Sequence, residues 1–194
     1  MTDRQTIYDA LSKAAWGYFF LYFDFNLGSV SILPSFVGYL LFLSAIKLLQ
    51  DERRDLELLR PFGILLAVWH GGNWLASWLG TGLDGHFPVI DLIIGLANMY
   101  FHFQMLTDYA ALATKYQQPD QTLDRRLLKW RTRQTLLLTA ISLCAYPLRF
   151  LTDLWEPTLI ILALAGLITS LCIMVTLFDL RKIFRGNLET LPPT

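Results

Sequence analysis

The residues best suited to chemistry lie inside stretches that are otherwise apolar. In the string WHGGNWLASW, a helix would gather His70, Asn73 and Ser77 within about 60° of one another, on one face. Further on, Asp91, Asn98 and His102 are spaced by seven and four and form a second stripe, with Gly95 between them to admit a neighbouring helix. A third stripe, Thr135, Thr139, Ser142, Tyr146, Arg149 and Asp153, recurs at alternating intervals of four and three. Pro147 interrupts it and would free a carbonyl one turn earlier, near Leu143, which predicts a kink. Imidazole, amide, phenol and guanidinium groups at these spacings suit hydrogen bonding to a small polar solute, or between helices.

Imidazole and carboxylate also suit a metal or haem. Counted from the inner end, however, His70 stands about 13 Å up its helix and His102 about 6 Å, too far apart to share one ion. There is no H-E-x-x-H string and no i, i+4 histidine pair, so neither metal nor cofactor is expected. No G-x-S-x-G occurs, and no Ser or Cys has a His three or four residues away. No catalytic residue is named. Cys144 and Cys172 both fall in apolar runs without a C-x-x-C pair and read as small hydrophobic residues. Trp69, Trp74 and Trp78 read as an aromatic belt or lipid-facing packing, not as a ligand site.

The stripes need helices to carry them. Of the 194 residues 54% are hydrophobic, and the mean hydropathy is +0.42, above the balance of a soluble domain. A soluble helical protein would spread its charges along each helix. Here they are clumped, and the uncharged runs Phe62 to Leu83 and Thr158 to Phe178 are each long enough to cross about 30 Å of hydrocarbon. Pro34, Pro61, Pro88 and Pro157 each stand just before an apolar run, as proline does at a helix start. The pattern predicts an all-α, polytopic transmembrane bundle, one domain over 1–194, with helices at about 11–25, 34–49, 61–79, 88–106, 135–151 and 157–178. The first spans only if Lys13 snorkels inward and Asp24 reaches the outer interface. No small-x-small cleavage site follows it, so no removable signal peptide is expected.

All sixteen basic residues except Arg149 fall before the first helix, between the second and third, between the fourth and fifth, or after the sixth. By the positive-inside rule these loops and both termini are cytoplasmic. Residues 120–134 place Leu123, Leu127, Leu128 and Trp130 among basic side chains and read as an amphipathic segment on the inner leaflet, not as an RNA-binding stretch. Net charge is zero, and no nucleic-acid partner is suggested. Arg149, alone near the outer side, is expected to pair with Asp91 or Asp24, because an unpaired guanidinium in hydrocarbon is costly.

The stretch WGYFFLYFDFNLGSVSILPSFVGYLLFLSAIKLL resembles a group of small bacterial multi-pass membrane proteins of unknown function. In that group a first helix ends in Asp-Phe, and after six residues I-L-P-x-F-x-G-Y opens the second. The resemblance implies a bacterial cell membrane and a second helix beginning at Pro34, and it brings no catalytic or binding residues. In size and helix count the chain is also similar to the substrate-binding components of energy-coupling-factor vitamin transporters, whose alanine-spaced docking motif its first helix lacks.

The sequence therefore leads to a non-enzymatic bundle. A polar seam between the third, fourth and fifth helices, comprising His70, Asn73, Asp91, Asn98, His102, Tyr146 and Arg149, would bind a small solute, as a transporter or its subunit does. The alternatives are an accessory or scaffold protein whose seam only holds helices together, with another membrane protein as partner, and a membrane enzyme or metal-binding protein using Asp91 and His102.

Overall fold

The computed structural model describes residues 3–22, 26–27, 30–31, 34–81, 87–145 and 155–185. Within these residues the chain forms six α-helices: α1 (Arg4–Tyr22), α2 (Phe36–Leu49), α3 (Arg60–Trp78), α4 (Pro88–Tyr116), α5 (Leu123–Ala145) and α6 (Trp155–Arg185). A 3-10 turn, Arg54–Leu59, leads into α3. In the linker after α1, β1 (Asn26–Leu27) and β2 (Val30–Ser31) form a minimal antiparallel ladder. Pro88 is the first residue of α4 and Pro61 the second of α3, where the missing N–H has no intrahelical partner to lose.

Several helices outrun the apolar stretches that announced them. α1 begins at Arg4 instead of about residue 11, because Ile7, Ala10, Leu11 and Ala14 continue its buried face through the charged first turns. α4 and α6 extend to Tyr116 and Arg185. Hydropathy measures the length of chain that hydrocarbon can hold, whereas a helix continues for as long as its side chains find neighbours. Residues 120–134 lengthen the fifth helix in the same way. From Leu123 onward they form the first part of α5, and Leu123 and Leu127 are buried within the protein. Gln117 Oε1 accepts the N–H groups of Leu123 and Asp124 at 3.0 and 3.2 Å, capping this start. The Gln117 amide and the Arg125 backbone N–H hold the Asp124 carboxyl below its ordinary value. The expected kink at Pro147 lies outside the described residues.

α1 packs against α2 and α6, α5 against α4 and α6, and α2 against α3, while α3 and α4 touch only lightly. The α1–α2 crossing is close. A Cβ on Gly38 would stand 2.7 Å from the Gly17 carbonyl oxygen, and one on Gly17 would stand 2.6 Å from the Phe42 ring, so both positions need glycine to let the backbones approach. At one end of the bundle, polar contacts tie the basic segments together. Lys13 Nζ donates to Ser44 Oγ at 2.8 Å, Arg181 Nη1 donates to Ser12 Oγ at 3.0 Å, and Lys115 pairs with Glu52.

Around an apolar core, the outward faces of several helices are also apolar. Val68 on α3 is 69% exposed, Val89 on α4 is 71% and Ile161 on α6 is 67%, whereas His102 and Asp108 are buried. α4 and residues Ile160–Arg185 of α6 are long and apolar enough to cross a membrane.

Candidate functional site

Tyr39 is the centre around which the candidate residues assemble. It sits in the first turn of α2, next to the glycine that lets α1 approach, and is fully buried. Its hydroxyl donates to Asn98 Oδ1 on α4 at 2.9 Å. Its ring stacks on His70 of α3, with centroids 5.0 Å apart and planes 20° from parallel. On the other side lies His102, at 6.4 Å. Ser35 Oγ is 3.5 Å from His70 Nδ1, and Phe36 packs on Trp74 at 5.6 Å. Tyr39 at the start of α2 therefore touches both polar stripes, His70 of α3 and Asn98 of α4.

A second group gathers on α1. Tyr18 OH and His102 Nδ1 share a hydrogen bond at 3.3 Å, and Phe42 and Phe101 close around the imidazole. One turn later, Tyr22 OH accepts from Gln134 Nε2 of α5 at 3.1 Å. The other amide atom, Gln134 Oε1, is buried without a hydrogen-bond partner among the described residues, and so is Ser170 Oγ of α6. Arg126 pairs with Asp179, and Trp130 and Val175 line one cleft, which sets the antiparallel register of α5 and α6. Continued by one turn, that register brings Gln134 level with Ser170. Two unsatisfied polar atoms thus stand at one height of the bundle, beside the Tyr18–Tyr22 turn.

The expected seam is thereby partly assembled and partly displaced. His70, Asn98 and His102 are brought together around Tyr39 of α2, with Tyr18 of α1 bonding His102. Asn73 and Asp91 are half-buried on α3 and in the first turn of α4. Ser77 donates to its own helix at Trp74 O, and Thr135 and Thr139 donate to the carbonyls four residues earlier. These hydroxyls mostly satisfy themselves locally. Thr139 also reaches Met99 Sδ at 3.4 Å, and Gly95 does face Ser142 of α5. Tyr146, Arg149 and Asp24 lie outside the described residues, and with them the expected ion pair. Among the described residues, no three His, Cys, Asp or Glu side chains are grouped as a metal ion would require.

Sequence reasoning missed Tyr18, Tyr22, Tyr39 and Gln134. The usable signal was in the I-L-P-x-F-x-G-Y string, whose Phe, Gly and Tyr are Phe36, Gly38 and Tyr39. It also missed a buried ion pair at the basic end. Arg53 Nη2 meets Asp108 Oδ1 at 3.0 Å, the Asp108 side chain is fully buried, and Gln104 donates to its other oxygen at 3.1 Å.

Fold and site together define an all-α helical protein with a buried tyrosine–histidine–amide core and two helices long and apolar enough to cross a membrane. The chain matches no protein-family model, no curated protein and no solved structure.

Proposed function

We propose that the chain is an integral membrane protein of six spans with both termini cytoplasmic, whose tyrosine–histidine–amide core takes a small polar solute, as a transporter or transporter subunit would. The exposed apolar surface supports the membrane placement: the outward faces of α3, α4 and α6 carry large apolar side chains, while His102 of α4 is buried. The resemblance around I-L-P-x-F-x-G-Y points to a bacterial cell membrane.

One observation carries the solute reading, the pair of buried, unpartnered atoms Gln134 Oε1 and Ser170 Oγ. Each such atom costs about 1–3 kcal/mol, and a solute donating to Gln134 and bonding Ser170 would remove that cost. The rival accessory role has its own support. Tyr18 with His102, and Tyr39 with Asn98, satisfy one another and lock α1, α2 and α4 without a ligand. Native mass spectrometry of the detergent-purified protein separates the two. The solute reading expects a co-purifying polar molecule of constant mass that is lost in Gln134→Leu. A bare polypeptide, with Gln134→Leu melting lower than the wild type, would establish the core as a lock between helices.

A further inference from the structure

At the basic end, α5 and α6 border a cleft of about 180 Å³ lined by Arg126, Trp130, Leu171, Cys172 and Val175. Its walls are apolar except at the top, where Arg126 stands. Arg126 also borders a larger polar recess of about 810 Å³, which Gln121, Thr122, Asp179 and Lys182 help to line. Arg126 is thus shared by the apolar cleft and the polar recess.

The charge of the surroundings is strongly positive. Between Arg125 and Arg133, α5 carries five basic side chains, with Asp124 the single acid of this first part of the helix. α6 ends with Arg181, Lys182 and Arg185 beyond Asp179. Asp179 is the local counter-ion, 2.9 Å from Lys182 Nζ and 3.6 Å from Arg126 Nη1. The second distance is beyond a hydrogen bond, and the Arg126 side chain is 48% exposed. Its fork of donors is thus only weakly engaged by protein. Trp130 at the wall is clasped by Arg133, whose guanidinium lies 4.9 Å from the ring, an arrangement suited to a headgroup boundary.

We infer that the α5–α6 cleft binds an anionic phospholipid of the inner leaflet, with an acyl chain against Trp130, Leu171, Cys172 and Val175 and the phosphate between Arg126 and Lys182. The lipid phosphate competes with Asp179 for the two cations, and the cleft below selects a lipid over a free phosphate. This rests on the membrane reading above.

The test is thermal unfolding in neutral detergent micelles with added dioleoylphosphatidylglycerol, dioleoylphosphatidylcholine or inorganic phosphate. Phosphatidylglycerol is expected to raise the melting temperature saturably, and the other two to leave it unchanged. Arg126→Gln, which removes one exposed ion pair, and Val175→Trp, which fills the cleft, should each abolish the rise relative to the same variant in phosphatidylcholine. Asp179→Asn should reach saturation at less lipid. An equal rise with phosphatidylcholine, a rise with phosphate alone, or a rise that survives Arg126→Gln would overturn the proposal. Alkaline-carbonate extraction of the wild type tests the underlying reading separately. Release from membranes would refute membrane insertion itself, whereas retention without a lipid-dependent rise would refute only the cleft.

Discussion

The α1–α2 crossing and the outer face of α4 are made of similar residues and meet opposite surroundings. At the crossing, Gly17 and Gly38 bring the backbones together, and Tyr18, Tyr39 and Phe42 are buried against one another and against His102. On α4, Val89, Ile90, Ile93 and Leu96 are exposed. An apolar side chain is evidence of a core only where protein covers it. Here the tight interior, apolar with a few buried polar groups such as His102 and Gln134, belongs to the protein, and the apolar exterior of α4 belongs to whatever surrounds it. In water such an exterior would be an aggregation surface; in a bilayer it is the normal one.

That contrast predicts steep costs inside and almost none outside, all readable as melting temperature and denaturant unfolding in detergent. The largest belongs to Arg53→Ala. It strips the buried Asp108 carboxylate of its cation and should cost about 3 kcal/mol, and combining it with Asp108→Leu should restore most of the loss. Gly38→Ala comes next, because its Cβ would meet a backbone oxygen that cannot rotate away; the expected cost is about 1–3 kcal/mol. Tyr39→Phe removes a single interhelical hydrogen bond to Asn98 and should cost about 1 kcal/mol while leaving the His70 stack in place. Val68→Ala, on the open face of α3, should change stability by less than about 0.5 kcal/mol. A large loss at Val68, or none at Gly38, would reverse the contrast.

Much of the helical layout was legible in the sequence. Charge clumps and prolines located all six helices, because proline at a helix start and charge outside an apolar run are local effects. Helix ends were less legible. Ile7 and Leu11 extend α1 through charged residues because α2 and α6 cover them, a fact held in distant parts of the chain. The polar stripes on α3 and α4 were legible through their spacing, and Asn98 and His102 do face inward. Their partners were not, since a tyrosine in an apolar helix looks like any aromatic until its hydroxyl finds an amide 59 residues away, as Tyr39 does with Asn98. The α5 stripe does meet α4, at Thr139 with Met99 and Ser142 with Gly95, and what periodicity could not show is that the Thr135 and Thr139 hydroxyls also donate to their own helix.

Six spans with both termini inside is the central claim, and site-directed labelling in intact cells tests it most directly. In a background with Cys144 and Cys172 replaced by alanine, single cysteines at Asp84, Asp153 and Gln121 would be probed with a membrane-impermeant maleimide. The first two should label in intact cells, and the third only after permeabilisation. Labelling at Gln121 in intact cells, or protection of Asp84 and Asp153 until the membrane is opened, would contradict the topology on which both the solute core and the lipid cleft depend.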